Sequence, residues 1–405
     1  MSRRRVVVTA VGAMSAFGPG HEALRRGVHA GTRAIREVTL FDPAPFRSRV
    51  AGEVPAFEAP FPRRVVKRAS RSDLLGLCAA REAVLSAGLP PDALAAAAVI
   101  HGTGAGGAHL LEAYLAYGLE HGPRRARPSL LVPHQPATTT DLMATEVGAF
   151  GPRATLMTAC SSSATAIGYA ADLIRLGRAN VALAGGTESL CRLTYAGFSS
   201  LRALDPQPCR PFDAERAGLT LGEGSAILVL EELGHARRRG ARILAEACGY
   251  GVSADAHHLT APDPTGDGAC RAMREALRDS GLAPSDIDYV NAHGTATQYN
   301  DPVETTAIKK AFGEHAGKLA ISSTKAMFGH TLGAAGALEA AVCIVALEDD
   351  LVPPTLGLSR PDPACDLDYV PGVGRRQRLR HVLSNSFAFG GNNTSLVFGR
   401  LEEAA

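Results

Sequence analysis

The segment RATLMTACSSSATAIGYAADLIRLGRANVALAGGT (residues 153–187) reads as one complete crossover unit. An apolar run at 153–159 predicts a strand. Ser161–Leu176, rich in alanine and with apolar residues on one face, predicts a helix, and VALAGGT at 181–187 predicts a second strand. Strand, helix, strand in this rhythm implies parallel strands with a helix laid across them. Outward from this unit the pattern repeats. RVVVTAVGAM near the N-terminus, AAAAVIHGTG (95–104) and SAILVLEE (225–232) read as strands, while His21–Val28 and Arg71–Ser86 read as helices. After about Gly249 the rhythm restarts, with helices at Gly268–Ser280, Val303–Phe312 and Gly333–Glu348. Short strands are expected at Asp288–Asn291 and 319–324, and a closing strand pair at 381–391 and 393–400. Two halves with one element order predict a duplicated α/β architecture, divided as residues 1–250 and 251–405.

Composition narrows the function classes. With 42 Lys+Arg against 40 Asp+Glu the formal charge is +2, which gives no field for nucleic acid or an anionic membrane. No apolar run reaches the roughly 18 residues a membrane helix needs, and the N-terminal VVV stretch is too short for a signal-peptide core. A cytoplasmic, soluble protein is expected. The eight cysteines (78, 160, 191, 209, 248, 270, 343 and 365) show neither C-x-x-C pairs nor zinc-ligand spacing. No metal site is expected, and most of the thiols read as small buried residues.

Four local patterns carry chemistry. In Met157-Thr-Ala-Cys160-Ser-Ser-Ser163 a strand runs through small residues into a helix, placing Cys160 at a positive helix end that favours thiolate. Asn291-Ala-His293-Gly-Thr295-Ala-Thr297 projects a histidine from a strand end, with two hydroxyls beside it. In Ser323-Thr-Lys325-Ala-Met-Phe-Gly-His330, one of only five lysines stands before a second histidine, and Glu339 on the following helix can reach back to it. Asn385–Asn393 contains a glycine turn between two strands that exposes backbone N–H groups.

These four patterns, with CRPFDAERAGLTLGEGSAILVLEE (209–232) and HGTATQYNDPVE (293–304), resemble the β-ketoacyl synthases of the thiolase superfamily from about Arg5 to Gly399. The resemblance implies a thiolase fold, a five-layered αβαβα arrangement, and condensation of a malonyl thioester with an acyl chain held on Cys160. It assigns His293 and His330 to decarboxylation, Lys325 to tuning His330, and Glu339 to holding Lys325. The backbone N–H groups of Cys160 and Phe389 would form the oxyanion hole. Phe389 would also gate the acyl pocket, and Thr295 and Thr297 would bind the phosphopantetheine arm. No metal or organic cofactor is implied, because phosphopantetheine arrives on an acyl carrier protein. The expected partners are that carrier and a second ketosynthase-type subunit, in a homodimer or in a heterodimer with a chain-length subunit. For carrier docking, the basic run Arg63, Arg64, Lys67, Arg68 and Arg71, extended by Arg202, is the candidate surface.

The pairing of two histidines resembles elongating enzymes, since initiating ketosynthases use one His and one Asn. Departures from the family pattern fall at Ala388, Gln298, Tyr299, Asn300 and Leu219 and in HQPATTT (134–140), and they bear on acyl specificity. Two rival readings are a silent chain-length-determining subunit, which would lack the cysteine, and a thiolase, which would need a second catalytic cysteine. Cys365 is the one late candidate. GTGAGG (102–107) has the look of a phosphate loop but lacks the downstream Lys-Ser/Thr. His257-His258 and Cys209 read as a solvent-facing pair and a packing residue.

Overall fold

The computed structural model describes residues 3–401. Eleven strands form one hydrogen-bonded array. Apart from the two-residue strand Gly18–Pro19, they fall into two sets of five. The first comprises β1 (Val6–Ser15), β2 (Ala98–Gly102), β3 (Arg153–Leu156), β4 (Val181–Glu188) and β5 (Gly224–Glu232). The second comprises β6 (Ala245–Ala254), β7 (Tyr289–Asn291), β8 (Ala320–Ser322), β9 (His381–Ala388) and β10 (Asn392–Gly399). In space the first set runs β3-β2-β4-β5-β1 and the second β8-β7-β9-β10-β6, which is the same order. The senses match as well: the first three strands of each spatial order are mutually parallel, and the last two pairings are antiparallel. The duplication expected from the element rhythm is therefore present in the topology. A short antiparallel contact at Val7–Glu246 and Val8–Ala245 joins the halves.

Between the two sheets lie the equivalent helices α1 (Ser162–Arg175) and α2 (Ala335–Asp349). Every residue of α2 from Ala335 to Leu347 is buried, as expected of a helix that is apolar on all sides except at Glu339. The two helices approach so closely that a Cβ at Gly336 would lie 2.6 Å from the Ala164 Cβ. All ten residues of β1 are buried, which accounts for its continuous apolar sequence: a strand covered on both faces cannot alternate.

This arrangement places chemistry at the carboxyl ends of the parallel strands, where a doubly covered sheet leaves its crevice. β3 leads to Cys160, β7 to His293, β8 to Lys325 and β9 to Phe389. The structure corrects several sequence boundaries. β3 ends at Leu156 rather than Ala159, because the chain tightens into a 3-10 turn at Ala159–Ser161 with Ala159 at a φ of 52°. The helix expected from Gly333 starts at Ala335, after a 3-10 turn at Leu332–Ala334. Strand β6 and helices at Ala108–His121, Ala137–Val147 and Arg192–Ser200 were not anticipated.

Candidate active site

Cys160, His293, His330, Thr295, Thr297 and Phe389 line one chamber of about 60 Å³. The strained φ of Ala159 turns Cys160 out of the strand and into the start of α1, and its side chain is 7 % exposed. The Phe389 N–H donates toward its sulfur. Burial pushes the Cys160 thiol up to about 12, against the pull of Lys325 and of that N–H. Desolvation thus opposes the stabilisation that the helix end offers a thiolate.

His293 and His330 stand edge to face, with ring centroids 5.3 Å apart. Both are buried. Desolvation, with the Lys325 cation beside them, holds each imidazole well below its ordinary value, so both are neutral. The Leu332 N–H donates to His330 Nδ1 at 3.3 Å, which leaves the proton on Nε2. The His330 backbone is pinned on both sides, its N–H donating to Thr220 O at 2.7 Å and its carbonyl accepting from Gly222 N at 2.9 Å. That is the work of the GLTLGEG stretch (218–224).

Lys325 lies behind the histidines, outside the chamber lining, and donates to Glu339 Oε1. The pair is buried, and burial pushes the Glu339 carboxyl up to about 7. A buried cation here raises the cost of protonating either histidine.

Three carboxylates that the sequence reading did not assign build the frame. Glu304 accepts the N–H groups of His293 and Gly294, each at 2.8 Å, and the Asn385 amide at 3.1 Å. Asp301 accepts from Phe212 N at 2.7 Å and Ala296 N at 3.1 Å. Both lie near the start of the helix Asn300–Phe312, Asp301 in its first turn and Glu304 just after it, so the NDPVE run was the signal that could have found them. Glu188 ends β4 and accepts from Gly104 N at 2.7 Å, Ala105 N at 2.9 Å and Gly333 N at 3.0 Å. The GTGAGG turn is therefore a cradle for an internal carboxylate.

Other expectations resolve as follows. Arg71 does not present itself to solvent with its neighbours: its guanidinium pairs with buried Glu223 and donates to Val54 O at 3.0 Å, tying its helix to the GLTLGEG stretch. Arg63, Arg64, Lys67 and Arg68 are exposed, on a short turn anchored by buried Val65. Arg202 lines an outer chamber of about 470 Å³ that shares Thr260, Ala261, Thr297 and Phe389 with the inner one. Cys365 is buried in a separate core with Tyr369 and does not line the chamber, so the thiolase reading lacks its second thiol. Cys209 is buried. His258 accepts the N–H groups of Thr260 and Ala261 at 3.1 and 3.2 Å, while no cluster of metal-ligating side chains occurs among the described residues. Of the departures, Leu219 and Ala388 line the inner chamber and Gln298 and Tyr299 the outer one.

A duplicated α/β fold in which a cysteine at a strand–helix turn shares a chamber with two neutral histidines defines a condensing enzyme of the thiolase fold. The chain belongs to the β-ketoacyl synthase family: residues 3–236 match its N-terminal domain and residues 244–359 its C-terminal domain. It is 43% identical to 3-oxoacyl-[acyl-carrier-protein] synthase 2 of Synechocystis sp. over 99% of both chains. Among solved structures it resembles the ishigamide ketosynthase/chain length factor (TM-score 0.95, 39% identity, 99% of this chain and 100% of that one). It also resembles the AntDE:AntF assembly, a type II PKS acyl-carrier protein in complex with its ketosynthase bound to the hexaketide (TM-score 0.91, 31% identity, 99% and 100% covered). It is accordingly an acyltransferase-type condensing enzyme.

Proposed function

We propose that Cys160 carries the acyl chain and that His293 and His330 drive malonyl decarboxylation, with the substrates delivered by an acyl carrier protein. Cys160 Sγ attacks the acyl thioester, its proton passes to a neutral imidazole, and the imidazolium returns that proton to the departing carrier sulfur, which leaves as the thiol. When malonyl thioester follows, the bond to its carboxylate breaks, carbon dioxide departs and the electron pair moves to the thioester oxygen. Imidazole N–H donors stabilise that enolate oxygen where water is excluded. The enolate carbon then attacks the acyl carbonyl on Cys160. The N–H groups of Cys160 and Phe389 bind the oxyanion, the C–S bond breaks, Cys160 leaves as a thiolate that takes up a proton, and the β-ketoacyl chain remains on the carrier. Thr295 and Thr297, whose hydroxyls lie 3.0 Å apart at the chamber wall, orient the arm.

One observation carries this reading: the thiol and two desolvated, uncharged imidazoles converge on a single chamber. A silent subunit has no use for such an arrangement. The two halves, 1–250 and 251–405, serve as one unit, the first supplying the nucleophile and the second the decarboxylating pair. No metal or organic cofactor enters the scheme, and the setting is cytoplasmic. In the assembly the second subunit is another ketosynthase-type chain, identical or chain-length-determining. The exposed Arg63, Arg64, Lys67 and Arg68 receive the acidic carrier. His293→Ala and His330→Ala are each expected to lower condensation by about 10²-fold while Cys160 still acylates, the scale set by loss of one oxyanion donor. Near-normal condensation in either variant contradicts the assignment.

A further inference from the structure

The outer chamber carries a feature that condensation itself does not require. Arg47, from the loop after Phe46, and Arg202, from the turn closing the helix Arg192–Ser200, both line it, although they come from distant parts of the chain. Both are exposed, and neither guanidinium has a hydrogen-bond or ion-pair partner among the described residues. No carboxylate lines the chamber, whereas nearby Arg210 and Arg216 are paired with Asp205 and Asp362. Arg202 also adopts a φ of 54°, directly after the helix end at Leu201. Its N–H donates to Ser199 O at 2.9 Å and the Ala203 N–H to Phe198 O at 3.0 Å, the bonding that closes a helix through a left-handed residue. Glycine serves that position without strain. An arginine held there at a backbone cost points to use of its side chain.

We propose that Arg47 and Arg202 form an anion clamp for the phosphate of the carrier's phosphopantetheine arm. This rests on the reading that a carrier delivers the substrate. The malonyl carboxylate is not the anion, because it must reach the histidines in the inner chamber, beyond Phe389. The outer chamber joins the inner one through Thr297, so an arm whose thioester reaches Cys160 threads past Thr297 and leaves its phosphate outside. Planar guanidiniums match a phosphate group through paired N–H donors.

The test compares binding of S-acetyl-4′-phosphopantetheine and S-acetylpantetheine to the full chain by calorimetry. Wild type is expected to prefer the phosphorylated compound by about tenfold or more, roughly one charge-assisted contact. Arg47→Ala and Arg202→Ala should each reduce the preference and the double variant abolish it. Arg202→Gly should lose the same share while raising Tm, since it relieves the left-handed backbone. No preference in wild type, or full preference in the double variant or in Arg202→Gly, overturns the clamp. So does a loss of affinity seen only with intact carrier, which would mean that the arginines read the carrier's own acidic side chains. Absence of condensation by wild type would sink the proposed function instead, and the two-ligand comparison decides the clamp without it.

Discussion

Lys325 shows how a residue outside the chamber governs those within it. Its cation is one of the causes holding both histidines below their ordinary value, and it also pulls down the carboxyl of Glu339. Removing it lets the imidazole values rise toward 6.5 while Glu339 rises further and becomes neutral. Protonated imidazole then appears at a higher pH than in the native protein. Lys325→Ala is therefore expected to retain condensation best at alkaline pH and to lose it as pH falls, its acid limb displaced upward, as a pH–rate profile would record. A profile superimposable on wild type would reduce Lys325 to a packing residue. Cys160, His293 and His330, which meet at one chamber, were legible because each sits in a short run of its own. Asp301, Glu188 and Glu304 were not, since they act by accepting N–H groups, and only the folded chain shows which carboxylate meets which loop. For Cys160 the helix end is visible in sequence, while the burial that opposes it is not.

At the level of elements, the halves are bolted together by Glu188, which takes N–H groups from the turn after β2 and from Gly333 in the turn that follows His330. Space there is tight, as a Cβ at Gly333 would lie 2.2 Å from Gly104 N. Glu188→Ala strands one buried donor at Gly333 and two part-buried ones at Gly104 and Ala105, and should cost about 3 kcal/mol, given ~1–3 kcal/mol for an unmet buried group and less where water can reach. Denaturant unfolding reads the stability, and kcat is expected to fall with it as the His330 turn loosens. An unchanged unfolding midpoint would show that water replaces the carboxylate at no cost. The central strands and helices were readable because burial on both faces leaves long apolar runs. Strand β6 escaped because AEACGYGVSA alternates buried with partly buried residues and contains two glycines, so neither period nor propensity announces it. The twofold order of the sheets was suggested by rhythm alone, since topology repeats here without repeated sequence.

Across the whole molecule, the basic run at 63–71 separates into exposed Arg63, Arg64, Lys67 and Arg68 and an Arg71 held by buried Glu223. Lys67→Glu with Arg68→Glu should raise KM for carrier-borne substrate and leave turnover of a small pantetheine thioester nearly unchanged, because exposed charges chiefly steer encounter. Arg71→Ala should instead lower Tm, as it uncovers buried Glu223, a loss of about 3 kcal/mol by the usual cost of breaking such a pair. Equal damage to both substrates by the charge reversals would remove the docking role. The most direct test of the central claim is intact-protein mass spectrometry of the folded chain, mixed first with acyl-carrier protein bearing an acyl thioester and then with malonyl-carrier protein. The account predicts one acyl adduct that maps to Cys160, followed by its disappearance as carbon dioxide and β-ketoacyl-carrier appear. A Cys160 that stays unmodified, or an adduct that malonyl-carrier protein cannot discharge, would contradict it.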